Sequence, residues 1–95
     1  MKVLFRHNLS ELKNFLEENE ARHEFIPNVI VYIDAMIELL DEKENNLREV
    51  AEIAYGIERV ISEDLDFCES RIGERIFALL NSIIEASRNA SKQDN

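Results

Sequence analysis

The chain is poor in the residues that punctuate or cross-link a fold: one proline, two glycines and one cysteine occur among 95 residues. A lone Cys68 cannot close an internal disulfide, so stability has to come from packing, and this usage fits a reducing, cytoplasmic setting. So few glycines leave little for tight turns, and no stretch alternates apolar with polar residues as a half-buried strand does. Long apolar runs are missing too. The greasiest stretch is interrupted by Asp34 and Glu38, short of the roughly 20 residues that span a bilayer. The opening MKVLFRHN has neither an apolar region of signal-peptide length nor a small-residue cleavage site, so no signal peptide is expected. Gly-x-Gly-x-x-Gly, the P-loop, Gly-x-Ser-x-Gly and His-Glu-x-x-His are absent, which removes the usual sequence signs of phosphate cradles, hydrolase nucleophiles and zinc sites. No repeat of diagnostic period and no low-complexity tract is present.

What remains is 45% apolar and 33% charged, a composition that supports one soluble domain with a modest core. The stretch from Ile26 to Leu40, IPNVIVYIDAMIELL, organises the rest. Pro27 marks its start, because proline is tolerated in the first helical turn, where its missing N–H would be unpaired anyway. Beyond Val29 nearly every position is apolar, apart from Asp34, Glu38 and Asp41 at i, i+4 and i+7. A helix greasy on most of its girth is expected to be enclosed on several sides, by the rest of the chain or by a second copy.

Three more segments carry helical periodicity. Leu9, Leu12, Phe15 and Leu16 follow Asn8 and Glu11, a capping-box spacing. Asn46 and Glu49 repeat that signature before Leu47, Val50, Ala51, Ala54, Ile57 and Ile61. Gly56 inside this segment costs about 1 kcal/mol relative to alanine, and a close helix–helix approach is the simplest compensation. Ser70 can cap a last helix carrying Ile72, Ile76, Leu79, Leu80 and Ile83. The spacing predicts helices over about 9–21, 27–42, 47–61 and 71–87, with residues 1–8 as coil. Residues 62–69 form an acidic connection containing a turn of helix and two apolar anchors, Leu65 and Phe67. The expected architecture is all-α, a compact and mostly antiparallel four-helix bundle over 1–87 with a disordered tail over 88–95.

Net charge is −9, and its placement says more than its size. Residues 34–74 hold thirteen acids against four bases, so the whole excess sits mid-chain. Such a field repels nucleic acid and anionic lipid, so no direct nucleic-acid or membrane partner is expected, while association with a basic partner is accelerated. Glu20 and His23 have the Glu-x-x-His spacing of di-iron bundles, but a second such motif and two further glutamates are missing, so no metal and no cofactor are expected. Counted as a calcium loop from Asp64, the required glycine position holds Glu69 and the twelfth position Arg75. Cys68 lies between Asp66 and Glu69, whose charges disfavour the thiolate, so it reads as a packing residue and not a nucleophile. No enzyme is expected.

The reading that follows is a small acidic protein-binding module, an inhibitor or immunity or antidote type of protein that occludes a basic, toxin-like or nuclease-like partner. Asp34, Glu38, Asp41, Glu42, Glu63, Asp64, Asp66 and Glu69 would steer the partner, with Tyr32 and Tyr55 as anchors. Small immunity proteins of bacterial toxins are often acidic helical bundles, a resemblance of class, since no motif here identifies a family. The alternative is a structural or regulatory homodimer paired through the second helix.

Overall fold

Five α-helices and one 3-10 turn make up the computed structural model, which describes residues 2–42 and 46–93, with side chains over 3–42 and 46–90. In chain order these are α1 (Lys2–Glu18), the 3-10 turn Glu20–Arg22, α2 (Ile26–Asp41), α3 (Leu47–Ile61), the short α4 (Leu65–Glu69) and α5 (Arg71–Gln93). No strand occurs among the described residues.

Cross-helix contacts fix the topology. Arg6 meets Asp41 and Lys13 meets Asp34, so α1 and α2 run antiparallel. Arg88 of α5 reaches Tyr55 of α3, and the Arg75 guanidinium lies 4.2 Å from the centre of the Phe15 ring, which brings α5 back against α1. The four long helices thus form an up-and-down bundle. Their buried positions recur at three- and four-residue steps: Phe5, Leu9, Leu12 and Leu16 on α1, Ile26, Val29, Ile33, Met36 and Leu40 on α2, and Ile76, Leu80 and Ile83 on α5. That spacing puts one stripe of each helix into a single shared core.

Both ends of the chain are more helical than the sequence suggested. Residues 2–8 belong to α1 and are not coil, because Phe5 lies one turn before Leu9 on the same stripe and is buried, while its neighbours Val3 and Leu4 face solvent. Asn8 and Glu11 are therefore interior to a helix and cap nothing. At its other end α1 stops at Glu18, where the Asn19 side-chain amide donates to the Phe15 carbonyl at 2.8 Å. α5 overruns the expected limit at 87 and continues to Gln93, since Ala86 and Ala90 prolong the stripe of Ile83 and pack on the core. Met1, Asp94 and Asn95 lie outside the described residues, as do residues 43–45 of the polar connection.

The capping signals had mixed outcomes. Asn46 stands at the N-terminus of α3 but makes no cap bond; its amide donates to the Leu39 carbonyl at 3.2 Å and to Glu42 Oε2 at 2.7 Å, closing the last turn of α2 instead. Ser70 does cap α5, accepting from the Gly73 N–H at 3.1 Å while its hydroxyl donates to the Phe67 carbonyl. This double role draws the backbone of α4 onto the first turn of α5. Gly73 is what permits it: a Cβ there would lie 2.1 Å from the Phe67 carbonyl oxygen. Phe67 is buried beside this seam, whereas Leu65, expected as a second anchor, is 68% exposed.

Candidate partner-binding groove

α2 is covered on two flanks and bare on its outer face. α1 and α3 pack on either side, but Val31 remains 65% exposed and Tyr32 45% exposed. Between the outer flanks of α2 and α3 runs an open groove of about 360 Å³, lined by Tyr32, Ile53, Gly56, Ile57, Arg59, Val60 and Glu63. Gly56 forms part of its floor. The close helix–helix approach expected at this glycine is not there: a Cβ would meet no atom within 4 Å. Two residues from buried Ala54, position 56 is turned about 200° away from the core, so its missing side chain opens a surface instead of tightening a contact.

The eight carboxylates expected to steer a partner do not gather on one face. Asp34 accepts from Lys13 at 2.7 Å, and Asp41 holds the Arg6 guanidinium through both oxygens. These pairs raise the pKa of Lys13 and Arg6, in each case chiefly through the hydrogen bond to the aspartate. The acidic seam of α2 is therefore largely met by bases of α1, which leaves Glu38 facing solvent and Glu42 receiving Asn46. Glu63 stands on the rim of the groove, and Asp64, Asp66 and Glu69 follow at the end of the bundle where α3 turns into α5. Glu38, Asp41 and Glu42 lie at the opposite end of α2, some 18 Å along its axis from that turn at about 1.5 Å per residue.

The two tyrosines are also separated. Tyr32 borders the α2–α3 groove, whereas Tyr55 lies on the other flank of α3, where its hydroxyl accepts from Arg88 and its ring lies 5.9 Å from that guanidinium. Beside it is Glu58, whose Oε2 is shielded from water without a hydrogen-bond partner. Burial pushes the Glu58 carboxyl above its ordinary value.

Sequence reasoning missed the tie at the turn end of the bundle. His23 Nε2 lies 3.0 Å from Asp64 Oδ2, and Phe25 N–H donates to His23 Nδ1 at 3.0 Å. With Nδ1 accepting, the proton sits on Nε2 and is given to Asp64. Asp64 also accepts from the Phe67 N–H at 3.1 Å, capping α4; the His23 bond and then this one hold its carboxyl below the ordinary value. The imidazole stacks on Phe67 with centroids 4.3 Å apart and meets the Phe25 ring edge-on at 4.6 Å. Residues 41 apart in sequence thereby join the α1–α2 connection to the α3–α5 connection. A histidine that works as a base keeps one ring nitrogen for its substrate, and here both are engaged by the protein. The cluster is a structural fastening. Glu20 sits in the 3-10 turn and does not share an α-helical face with His23, and no three His, Cys, Asp or Glu side chains converge as metal ligands among the described residues. Cys68 is half-buried.

No described helix is long and apolar enough to cross a membrane. The chain matches no protein-family model, no curated protein and no solved structure.

Proposed function

We propose that this chain is a non-catalytic protein-binding module that occludes a basic partner through the outer surface of α2 and α3. One observation carries the reading: a mostly apolar groove floored by Gly56 and edged by exposed Tyr32 lies on the segment of the chain that holds the whole net charge. Aromatic side chains at the edge of an open apolar groove are the usual energetic centre of an interface, because they bury large area with few rotamers. The mid-chain excess of carboxylates supplies long-range attraction for a basic protein and repels acidic competitors. Asp34, Asp41, Glu42 and Asp64 have structural partners within the chain, so the steering charge rests on Glu38, Glu63, Asp66 and Glu69. Tyr55, tied to Arg88, is not part of this surface. An inhibitor or antidote role follows when the occluded surface is the working surface of the partner.

The test is a photo-crosslinking side chain placed at position 32 in the native cell, followed by binding of the captured protein in purified form. A basic protein whose association rate falls steeply between low and moderate salt is the expected result. Capture of nothing except a second copy of this chain, or a rate indifferent to salt, overturns the reading.

A further inference from the structure

His23 caps α2 from outside the helix. Its ring Nδ1 accepts from the Phe25 N–H at 3.0 Å and its carbonyl accepts from the Ile26 N–H at 3.2 Å, so one residue satisfies two of the amides that a helix start leaves unpaired. The other ring nitrogen serves a different element: Nε2 lies 3.0 Å from Asp64, the residue that caps α4. These two bonds make different demands on the ring. Phe25 needs a lone pair on Nδ1, which exists only while the imidazole is neutral. Asp64 needs a proton on Nε2, which both the neutral and the charged ring provide. The side chain is 20% exposed, so water reaches it.

We propose that His23 is a proton-sensitive joint: on protonation the ring stays with Asp64 and Phe67 and lets go of the start of α2. A proton on Nδ1 turns the acceptor of the Phe25 N–H into a second donor, and two N–H groups cannot face each other at 3.0 Å. It also sets a positive charge at the N-terminus of α2, the end of a helix that disfavours a cation. On the α4 side the signs are reversed. The Asp64 carboxyl, held below its ordinary value chiefly by the bond to His23, is an anion wherever a histidine changes charge, so protonation makes that bond charge-assisted. The Phe67 ring, stacked at 4.3 Å, also favours a cation. Arg22 and Asp66, one of each sign, line the hollow beside the imidazole, where α5 adds only the uncharged Ser70 and Ile72. Glu24, next in the chain, is exposed. Once the amide is released, Phe25 keeps its edge-on ring contact with Phe67 at 5.9 Å, and the entry to α2 loosens while α4 stays capped.

The experiment is an NMR titration of the full chain, labelled with nitrogen-15, from about pH 8 to pH 5, the range over which histidine exchanges its charge. Ring-nitrogen shifts give the tautomer and the midpoint of each histidine; exposed His7, beside Glu11, is the internal reference. At the alkaline end the proton of His23 is expected on Nε2. As the ring takes its second proton, the Phe25 amide proton should move upfield at the His23 midpoint. Its protection against exchange, corrected for the intrinsic pH dependence, should fall by about tenfold, the size of one net hydrogen bond. The Phe67 amide, held by Asp64, should keep its protection. His23→Asn supplies an oxygen at the place of Nδ1 and takes up no proton, so in that variant the Phe25 amide should be indifferent to pH. A neutral ring protonated on Nδ1, a ring that stays neutral to pH 5, or a Phe25 amide that keeps its protection through the His23 midpoint overturns the joint. So does a Phe25 amide that still titrates in His23→Asn. Because the parent chain carries the decisive measurement, the proposal stays testable if that variant does not fold.

Discussion

The two glycines make opposite demands, and substituting each with alanine tests the packing directly. At Gly73 an added Cβ would lie 2.1 Å from the Phe67 carbonyl oxygen, 2.7 Å from the Cys68 carbonyl oxygen and 2.9 Å from the Cys68 carbonyl carbon. All three are backbone atoms, so no rotamer change relieves the overlap. α4 has to move away from α5 by more than about 1 Å, which strains the Ser70 bonds at the junction and loosens the seat of Phe67. Overpacking of this kind costs about 1–3 kcal/mol, and forced backbone displacement sets Gly73→Ala at the upper end. Position 56 is the reverse case: a Cβ meets nothing within 4 Å, so Gly56→Ala simply removes a poor helix former and gains about 0.8–1 kcal/mol. In a domain of this size 1 kcal/mol moves Tm by about 4–8 °C. Thermal unfolding followed by circular dichroism should therefore show Gly56→Ala melting about 4–8 °C higher and Gly73→Ala at least about 10 °C lower. A neutral Gly73→Ala refutes the close seating of α4 on α5. A destabilising Gly56→Ala refutes the open groove, because it would mean that another helix already occupies that surface.

Further outcomes follow from the ionisable groups. Glu58 is held above its ordinary pKa by burial, so it favours the folded state only while protonated and that contribution disappears as pH rises through its raised value. Glu58→Gln should accordingly raise Tm at pH 7 by the equivalent of less than about 1 kcal/mol and flatten the stability profile above pH 4.5; a lower Tm at neutral pH would contradict the unpartnered Oε2. Asp64 has its pKa depressed, so its contribution is complete above its ordinary value near 3.8 and is lost as pH falls through the folded one. Asp64→Asn should thus melt lower at pH 6 and lose less on acidification than the parent, as denaturant titrations at pH 6 and pH 3 would show. His23→Ala removes the acceptor of the Phe25 N–H and the ring stacked on Phe67, and should destabilise by about 2 kcal/mol in chemical unfolding. An unchanged midpoint would mean that the two connections are not fastened there.

Much of the bundle could be read from periodicity alone. α3 runs from Leu47 to Ile61 as its spacing implied, α2 lies within one residue of its expected limits, and α5 starts at Arg71 after its Ser70 cap. The errors have local causes. Val3, Leu4 and Phe5 stand together without helical spacing, and only Phe5 belongs to the stripe, so three adjacent apolar residues concealed the first turn of α1. Ala86 and Ala90 carried the stripe of α5 onward in residues too small to register as apolar periodicity. The greasy girth of α2 suggested a helix wrapped on several sides, yet Val31 and Tyr32 stay outside because α1 and α3, which pack on its flanks, leave its outer face open. That surplus of apolar surface was legible; that Tyr32 borders one groove with Ile53, Gly56 and Val60 was not, since which residues of two helices meet is fixed only once their relative rotation is known. The charge was legible in amount and not in arrangement. Nothing in the sequence tells that Lys13 and Arg6 answer Asp34 and Asp41, or that His23 finds Asp64.

The claim on which the account turns is that the surface between α2 and α3 is where another protein sits. Affinity of the partner captured from position 32, measured by calorimetry for the parent chain and for Gly56→Leu, tests it most directly. The account predicts a loss of about tenfold or more with the bundle still folded. Equal affinity in the two proteins would contradict it.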